Sequence, residues 1–537
     1  MTTNPEATTL PHMMREAALR WPDRTAASFP DAEVTFRALW RGAAHVANAL
    51  IAEGVGAGDH VGLLIPNSSR LLESFFAVSM IGAIPVVMNT RYRAEELPHV
   101  IKHADMVGIV TIADTALNNA GERIDYVARL GEALPGLAGQ RAGAIALPEA
   151  PKLGFILAFG PRPEPWIGRI EPGQSDETPV IQARRQAVGL SDTAVLLYTS
   201  GTTSRPKGVV LLHEGLTTSC IRAAVDRLAM TEADVIWNPA PMCHISAFVA
   251  LIGSLATGAE YVSASHFDAD MVLEHLARRK PTIAFANFPA FYFGLQDAMR
   301  RTGLSLDSLK LVTTAAAPPE IERIRAAFPK ALQISVTGST ELSGSICINN
   351  LDDTPAQRAE TAGPPIRGVE LSIRDPETSE RRPQGEIGEL WVRGICLFAR
   401  YHKEPGSPLT GESEPGWFRT ADLGTLDEGG RLTFKGRIKD MLKVGGENVS
   451  AAEIETFLLR HPAVAVAQVV AAPDDRLGEV PAAFIELARD ATATAEEIVA
   501  YCKAGIAKYK VPRIVRFVRE WPTSATKIQK ERLRAML

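Results

Sequence analysis

The segment "TAVLLYTSGTTSRPKGVVLLHEGL", residues 193–216, has the most distinctive pattern in the chain. A polar segment separates two apolar runs, and each run has the composition of a buried strand. The pattern predicts a tight hairpin connection with an unusually polar tip. Gly201 and Gly208 allow backbone N–H groups to turn outward, and Lys207 adds a positive charge. The tip also carries five hydroxyl groups: Thr199, Ser200, Thr202, Thr203 and Ser204.

These residues leave two interpretations of the loop open. The first is a phosphate-binding loop, since backbone N–H groups, hydroxyls and an ammonium group are all donors to phosphate. It is not the P-loop G-x-x-x-x-G-K-[ST], because the sixth position counted from Gly201 is Pro206 and the order that follows is Lys-Gly. The second is a solvent-exposed turn, because Gly, Ser and Thr are ordinary turn residues.

The composition is that of a large globular protein. The chain has 537 residues, of which 46% are hydrophobic and 22% charged, with a formal net charge of -5. No block of basic residues is present, which argues against nucleic-acid binding through phosphate neutralisation. The five cysteines, at positions 220, 243, 347, 396 and 502, have neither metal-site nor disulfide spacing and predict reduced, buried thiols.

The sequence gives no sign of export or of a membrane span. The N-terminal "MTTNPEATTL" lacks the basic and apolar regions of a signal peptide. The longest apolar run, residues 75–88, is shorter than a span requires and predicts a core helix running into a strand. We therefore expect a cytoplasmic protein without a membrane span.

The order of patterns along the chain predicts an α/β fold. Helix and strand patterns alternate from about residue 54 to 115 and again over 191–350, as βα units do. Residues 130–190 are rich in Pro and Gly and predict an extended surface loop between these two lobes. Residues 360–436 contain short β runs between turns, which predicts a small β-barrel-like subdomain, and the last hundred or so residues predict a small α+β domain.

Further polar residues stand where the pattern predicts strand ends or loops. Glu341 is the one acid in "TGSTELSG" and is a suitable Mg²⁺ partner for a polyphosphate. Asp422, in "GWFRTADLG", is predicted to lie in a turn, where its carboxylate can accept both hydroxyls of a ribose. Arg437 and Lys527 add positive charge, and "VGGENVSAAEIE" predicts a helix after a Gly pair. Each has a plain alternative, namely a turn cap, a solvated charge or a surface lysine.

Seven segments together resemble the adenylate-forming superfamily, and within it the AMP-forming acyl-CoA synthetases. They are "YTSGTTSRPKGV", "PMCHISA" (241–247), "AAAP" (315–318), "TGSTE" (337–341), "GWFRTADLG" (416–424), "GRIKDMLKVGGENVSAAEIE" (436–455) and "TSATKIQK" (523–530). The resemblance implies a large N-terminal adenylation domain, residues 1–437, and a small mobile C-terminal domain, residues 438–537. It also implies ATP and CoA as co-substrates and Mg²⁺ as cofactor.

The resemblance assigns a role to each site residue. The catalytic residues would be Lys527, Thr340 and Glu341, and Glu341 and Thr203 would hold the metal. ATP or AMP would contact Thr199, Ser200, Gly201, Thr202, Thr203, Lys207, Ala316, Ala317, Pro318, Thr337, Gly338, Ser339, Asp422 and Arg437. The acyl pocket would involve His244, Ala247, Phe288 and Gly344, with His244 either a gate or a core histidine and the aromatic run around Phe288 either pocket wall or core. The hinge would be Lys439, and CoA would meet Lys443, Gly445 and Gly446.

The chain departs from the family pattern at four positions. Thr337 stands where an aromatic residue usually lies beside the adenine, so a stacking contact is lost or supplied elsewhere. Ser204, Ala421 and Thr526 replace glycines. None of these changes removes a charged group that the chemistry needs.

The resulting hypothesis is ATP-dependent activation of a hydrophobic acid, fatty or cyclic and aromatic, to acyl-AMP, followed by transfer to CoA. One alternative within the same chemistry is transfer to a carrier-protein thiol. Another, of a different class, is a catalytically inactive nucleotide-binding scaffold. The acid and the oligomeric state are left open, with a homodimer as one candidate.

Overall fold

The computed structural model describes residues 7–114, 116–117, 121–161, 164–199, 206–404, 406, 415–444, 447–474, 476–524 and 527–537, without the side chains of 448, 524 and 527. The helices are α1 Leu10–Arg20, α2 Phe36–Ala52, α3 Ser69–Met80, α4 Leu97–His103, α5 Tyr126–Ala133, α6 Pro179–Ala187, α7 His213–Ile221, α8 Ser246–Thr257, α9 Ala269–Arg279, α10 Pro289–Thr302, α11 Pro318–Ala327, α12 Pro355–Glu360, α13 Ala451–Leu458, α14 Ala495–Gly505 and α15 Lys530–Ala535. Short 3₁₀ turns include Thr340–Leu342 and Ile438–Asp440.

The strands are β1 Thr25–Phe29, β2 Ala32–Thr35, β3 His60–Leu64, β4 Ile84–Val87, β5 Met106–Ile112, β6 Ala116–Leu117, β7 Arg123–Ile124, β8 Phe155–Phe159, β9 Gly168–Ile170, β10 Thr193–Thr199, β11 Lys207–Leu212, β12 Val235–Trp237, β13 Glu260–Val262, β14 Ile283–Phe285, β15 Leu311–Thr314, β16 Leu332–Ser339, β17 Gly344–Ile348, β18 Val369–Arg374, β19 Gly388–Gly394, β20 Arg400–Tyr401, β21 Phe418–Leu426, β22 Leu432–Arg437, β23 Met441–Val444, β24 Glu447–Ser450, β25 Val464–Asp474, β26 Gly478–Leu487, β27 Ile514–Phe517, β28 Thr523–Ser524 and β29 Lys527–Ile528.

Two eight-stranded, mostly parallel sheets form the large part of the molecule. One has the order β17-β16-β15-β14-β12-β13-β1-β2 and the other β20-β11-β10-β4-β3-β5-β8-β9. The largest apolar cluster combines side chains of both sheets with those of helices such as α2, α3, α7 and α8. Helices α4 and α5 cover the outer face of the second sheet, and α9, α10 and α11 cover that of the first. The core therefore consists of stacked α/β layers, as the alternating patterns predict.

The pairing of β10 with β11 confirms that the two apolar runs within residues 193–216 are the strands of a hairpin. The two strands pair antiparallel from Thr193↔Leu212 to Thr199↔Lys207. They lie inside the sheet, because β10 also pairs with β4 and β11 with β20. The residues of both strands are largely buried, which explains the continuous apolar runs on each side of the polar loop.

Two smaller sheets follow in the chain. An antiparallel sheet, β18-β19-β21-β22, corresponds to the predicted β-barrel-like unit and runs as an open path from β18 to β22. A five-stranded sheet, β24-β23-β26-β25 with β27 beside β26, packs against α13 and α14 on one face and α15 on the other. Strand β22 ends at Arg437 and β23 begins at Met441, so the chain changes sheets next to Lys439.

Three local predictions were wrong. Residues 130–190 are not only surface loop, since β8 is fully buried beside β5 and Trp166 is 3% exposed. Their Pro and Gly content hid the short apolar run "FILAF", which forms β8. Asp422 lies in β21 instead of a turn. The segment 444–455 forms the β23–β24 hairpin before α13 begins at Ala451, with Ser450 as its N-cap.

Other local predictions are confirmed. The run 75–88 forms the end of α3 and strand β4. All five cysteines are buried and free. Within the described ranges, no helix is both long and apolar enough to cross a membrane.

Candidate active site

The ends of β10 and β11 next to the connecting loop place two of the expected phosphate contacts opposite each other. Thr199 ends β10 and Lys207 begins β11, and the two form the last register pair. The Lys207 Nζ lies 3.6 Å from a Glu404 carboxylate oxygen and 5.3 Å from the centre of the Tyr401 ring. The other loop residues named from the sequence, Ser200, Gly201, Thr202 and Thr203, lie outside the described residues, and their roles stay predictions.

Strand β16 and the 3₁₀ turn after it carry the next group of expected residues. Thr337, Gly338 and Ser339 end the strand, and Thr340 and Glu341 open the turn. At Gly338 a Cβ atom would lie 1.8 Å from the carbonyl oxygen of Gly344 on β17, so only glycine fits there. Gly344 has φ +117°, which also favours glycine. The close crossing of β16 and β17 thus fixes where the Glu341 turn begins.

The Glu341 carboxylate has a partner that the sequence did not reveal. The Tyr401 hydroxyl donates to Glu341 Oε1 at 3.1 Å. Burial first, and then the neighbouring Glu341 carboxylate, raise the pKa of Tyr401, so its hydroxyl stays protonated and can donate. Tyr401 lies on β20, which pairs with β11 and so lies beside the β10–β11 hairpin. No spacing rule links residues 341 and 401; only the sheet order brings them together.

Asp422 and Arg437 form an ion pair across neighbouring strands. They occupy matching positions on β21 and β22, and Arg437 Nε lies 3.1 Å from Asp422 Oδ1. The pairing of β21 with β19 shifts register here, because Leu423 faces Glu389 while Arg419 faces Trp391. This bulge turns the backbone just before Asp422, and Ala421 has φ +58°. Ala421 therefore adopts the left-handed conformation that a glycine would adopt without strain.

The expected adenine segment connects β15 to α11. Ala316 and Ala317 follow β15, and Pro318 opens α11 with Ala317 as N-cap. The Glu320 carboxylate accepts the Ala317 N–H at 3.0 Å and closes this turn. Burial raises the pKa of Glu320. On the other side, the Ala315 N–H donates to the backbone oxygen of Asn287 at 2.9 Å, which holds the segment against the loop before α10.

Two buried asparagines that the sequence analysis missed hold the segment before His244. Asn67 donates to the Ala240 oxygen at 2.9 Å and accepts from the Met242 N–H at 3.0 Å. The Asn238 side chain donates to the oxygens of Ser246, at 3.1 Å, and Phe285, at 2.9 Å. Each links strand ends that are far apart in sequence. Buried amides satisfied in this way fix a loop that has no regular structure of its own.

Of the four residues expected in the acyl pocket, His244 lies in the turn before α8, where its backbone N–H donates to the Pro241 oxygen at 2.9 Å, and the other three divide into two groups. Ala247 is fully buried on α8, and a Cβ on Gly344 would meet Val249 of α8 at 3.2 Å, so these two small residues lie where β17 meets α8. Phe288 packs instead with the cluster that contains Phe291, at 6.3 Å between ring centres. Within the aromatic run, Phe285, Phe291 and Tyr292 are buried core residues.

The C-terminal part places the remaining expected residues. Lys439 lies in the 3₁₀ turn between β22 and β23, where its carbonyl oxygen accepts from Arg534 of α15 at 3.3 Å. Lys443 is exposed on β23, and its N–H donates to Glu479 at 2.7 Å. Lys527 begins β29, paired with Ser524 of β28. Gly445, Gly446 and the Lys527 side chain lie outside the described part, and their roles stay predictions.

The donor atoms present suit a hard cation held together with phosphate. In the described part of the chain, no group of three His, Cys, Asp or Glu residues could hold a metal ion alone. Mg²⁺ usually takes one or two carboxylates and completes its shell with phosphate oxygens and water. The partly exposed Glu341 carboxylate, positioned by the Tyr401 hydroxyl, fits that use.

Comparison with known proteins identifies the family. The model of the AMP-binding enzyme family matches residues 14–402, and that of the AMP-binding enzyme C-terminal domain matches residues 453–527. The chain belongs to the AMP-binding enzyme family. Among its relatives, the putative acyl-CoA synthetase YngI of Bacillus subtilis is 30% identical over 98% of this chain and 96% of its own length. The medium-chain acyl-CoA ligase ACSF2, mitochondrial, of Mus musculus is 30% identical over 99% of this chain and 88% of its own.

Solved structures agree with this family in fold and in domain order. The anthranilate CoA ligase AuaEII, in complex with anthranoyl-AMP, superposes with a TM-score of 0.83 at 28% identity, covering 99% of this chain and 98% of its own. The o-succinylbenzoate CoA synthetase of Bacillus subtilis, in complex with its acyl-adenylate, gives 0.78 at 25% identity, with 98% of each chain covered. The predicted class is thus confirmed: an AMP-forming acid–thiol ligase that activates a carboxylic acid to acyl-AMP and transfers the acyl group to CoA.

Proposed function

We propose that this ligase acts on a hydrophobic carboxylic acid, fatty or cyclic and aromatic, through the residues described above. The observation that supports the proposal most is the strap, residues 400–404, which joins the Glu341 carboxylate to the Lys207 ammonium through Tyr401 and Glu404. A carboxylate for a metal ion and a cation for phosphate thus lie beside one hairpin, as a polyphosphate substrate requires.

In the first step the acid's carboxylate attacks the α-phosphorus of ATP and pyrophosphate leaves. Both reactants are anions, so positive charge must offset their repulsion. Lys207 and the hairpin donors hold the β- and γ-phosphates, Thr340 contacts the α-phosphate, and Lys527 lies between that phosphate and the acid. Asp422 accepts the ribose hydroxyls, with Arg437 beside it. Holding the reactants together contributes about 7–11 kcal/mol to such a step.

Glu341 holds Mg²⁺ in this proposal, together with Thr203. The ion would neutralise charge on the phosphate oxygens as the bond to pyrophosphate breaks. The Tyr401 hydroxyl orients the Glu341 carboxylate by occupying Oε1.

In the second step the CoA thiol attacks the acyl carbon and AMP leaves. Lys527 must then withdraw to make room, which the C-terminal domain, residues 438–537, achieves by rotating about Lys439. A few backbone dihedrals suffice for such a hinge. Lys443, Gly445 and Gly446 then face the pantetheine arm of CoA.

The hydrophobic substrate class rests on the small residues at the junction of β17 and α8. Gly344 lies beside the apolar side chains of Val249 and Ile245, with Ala247 between these two in the chain. The sequence of the expected pocket segments, residues 237–248, 285–293, 313–318 and 338–345, contains no Arg or Lys to pair with a second carboxylate. Relatives named for medium-chain acids and for anthranilate fit an apolar acid of this size range.

Pyrophosphate release tests the proposal. Purified protein with ATP and Mg²⁺ would receive acetate, C6, C12 and C18 fatty acids, benzoate, cinnamate and a bulky alicyclic acid, each with and without CoA. We expect sustained turnover only with CoA and with an acid of C6 or larger, or with a cyclic one. A single burst that CoA does not change would favour a carrier-protein thiol as acceptor. No release with any acid would favour the inactive scaffold.

Assembly and location complete the proposal. We propose a cytoplasmic enzyme that can form homodimers. Sedimentation of the purified chain tests the dimer, and fractionation of the source cells tests the location.

A further inference from the structure

Four histidine side chains cluster behind the phosphate hairpin. His402 of the strap lies with its ring centre 5.2 Å from that of His60 and 5.4 Å from that of His103. His99 lies 5.3 Å from His103 on the same helix, α4. We call His60, His99, His103 and His402 the imidazole cluster. The reaction proposed above uses none of them.

One ring of the imidazole cluster and the backbone of the strap contact the hairpin at one pair of facing residues. The His103 Nδ1 lies 2.7 Å from the Tyr198 hydroxyl, and the backbone N–H of His402 donates to the Gly208 oxygen at 2.7 Å. Tyr198 and Gly208 form the register pair directly below Thr199 and Lys207. The His402 ring links the strap to α4, because its Nε2 donates to the backbone oxygen of His103 at 3.0 Å.

The strap also contacts the groups that are expected to bind metal and phosphate. Tyr401 and Glu404 flank His402 in the strap, and they contact Glu341 and Lys207, respectively. Lys403 forms an ion pair of 2.9 Å with Asp105, which follows α4. A displacement of His402 would therefore move Tyr401 relative to Glu341 and Glu404 relative to Lys207.

We propose that Tyr198, His103 and His402 form a clamp that positions the β10–β11 hairpin and the strap for binding the β- and γ-phosphates of ATP, and that this clamp works only while its imidazoles are uncharged. All three are positioning residues, since none is expected to touch ATP. The inference rests on the proposed function for the role of the hairpin.

The surroundings of the cluster favour the uncharged imidazoles. Burial, followed by His60, His103 and Lys403, lowers the pKa of His402 to about 4, against the smaller opposing effect of its bond to the His103 oxygen. Burial lowers the pKa of His103, aided by His99 and Lys403 and opposed by Glu404 and Asp105. Burial also lowers the pKa of His60, against the opposing effects of its bond to the Ala104 oxygen and of Asp105 and Asp59, and Lys152 acts in the same direction as burial.

The sign of the pH effect follows from these directions. When folding lowers the pKa of a histidine, the uncharged ring stabilises the folded protein, and this stabilisation is complete at pH values above the ordinary pKa of 6.5. That contribution is lost as the pH falls from 6.5 toward about 4. Two adjacent charged rings would repel each other and separate the strap from α4. ATP affinity should therefore weaken on acidification.

Binding of nucleotides to the whole chain tests the clamp, and it does not require the acid to be known. Titration calorimetry would measure Kd for ATP and for AMP, each with Mg²⁺, between pH 4.0 and 8.0. The variants are His402→Ala, His402→Gln and Tyr198→Phe, with the exposed His12→Gln of α1 as matched control. The amide of glutamine can donate where Nε2 does, but it does not titrate.

At pH 7.5 we expect His402→Ala to weaken ATP binding about 10-fold, the loss of one hydrogen bond, and AMP binding by less than about 2-fold. His402→Gln should bind ATP like the unchanged protein at that pH and lose less affinity on acidification. ATP itself titrates in this range. The decisive quantity is therefore the difference between the pH dependence of the ATP Kd in the unchanged protein and that in His402→Gln.

Three outcomes would overturn the clamp. Equal weakening of ATP and AMP by His402→Ala would show only a general structural role, and identical acid limbs for the unchanged protein and His402→Gln would remove the charge requirement. Unchanged ATP binding by His402→Ala would remove the positioning role. If His402→Ala does not fold, His402→Gln and Tyr198→Phe decide. Failure of the proposed function is separate, because it appears as absent pyrophosphate release with ATP binding intact.

Discussion

Ala421 shows how a single side chain can carry strain beside a residue that we propose binds the ribose. It lies in the β21 bulge with φ +58°, directly before Asp422. A Cβ atom in the left-handed region costs about 1–2 kcal/mol, and glycine avoids this cost. The resemblance drawn from the sequence placed a glycine here, and the backbone explains why.

Ala421→Gly should therefore stabilise the folded protein. The relief of strain exceeds the extra unfolded-state entropy of glycine, so we expect a net gain of up to about 1 kcal/mol. Thermal and urea unfolding measure it, with Ala49→Gly inside α2 as a control that should destabilise. A loss of stability in Ala421→Gly would show that the bulge relaxes around alanine.

Glu341 and Tyr401 allow a graded test of the metal site. Glu341→Gln removes the carboxylate that we propose holds Mg²⁺, so kcat/KM for ATP should fall about 10²-fold. Tyr401→Phe removes only the orienting hydroxyl and should cost less and raise the Mg²⁺ concentration needed for half-maximal rate. Steady-state rates across a Mg²⁺ series measure both, with the exposed Glu322→Gln as control. A Glu341→Gln enzyme with unchanged Mg²⁺ dependence would exclude this residue as a ligand.

At the scale of elements, strong periodicity was predictable and topology was not. The β10–β11 hairpin followed from two buried apolar runs around a polar loop. Strand β8 was missed because Pro and Gly dominate the sequence around it, although its own residues are all buried. The position of Asp422 in a strand was missed because a bulge looks like a turn in sequence.

Site contacts that depend on the order of strands in a sheet could not be predicted from the sequence either. Tyr401 meets Glu341 only because β20 adds to the edge of the hairpin. Asn67 and Asn238 act between strand ends far apart in the chain. A motif names residues that are close in sequence, whereas these contacts arise from how distant segments pack.

The crossing of β16 and β17 gives the sharpest prediction about an element. Gly338→Ala would place a Cβ 1.8 Å from the Gly344 oxygen, and backbone cannot yield as a flexible side chain can. We expect a loss of about 3 kcal/mol or more in the free energy of unfolding. Gly139→Ala, where an added Cβ meets nothing within 4 Å, is the matched control. Equal stability of the two variants would mean that β17 can move away from β16.

At the scale of the whole molecule, the proposed reaction requires the C-terminal domain to take two positions relative to the rest of the chain. The C-terminal unit has its own sheet and core, and its connection to β22 is the short turn around Lys439. Arg534 contacts this turn through the Lys439 oxygen and, at 3.6 Å, through Asp440. A self-contained unit on a short connection is the architecture that a domain rotation needs.

The effect of Lys527→Ala on each half-reaction is the most direct test of the proposed domain rotation. Pyrophosphate release from ATP and the acid reports the first, and thioester formation from preformed acyl-AMP and CoA reports the second. We predict that the first falls by about 10²-fold or more, because Lys527 offsets the charge at phosphorus, while the second stays within a few-fold. The exposed Lys508→Ala in the same domain should change neither. Equal loss in both half-reactions would contradict the proposed domain rotation.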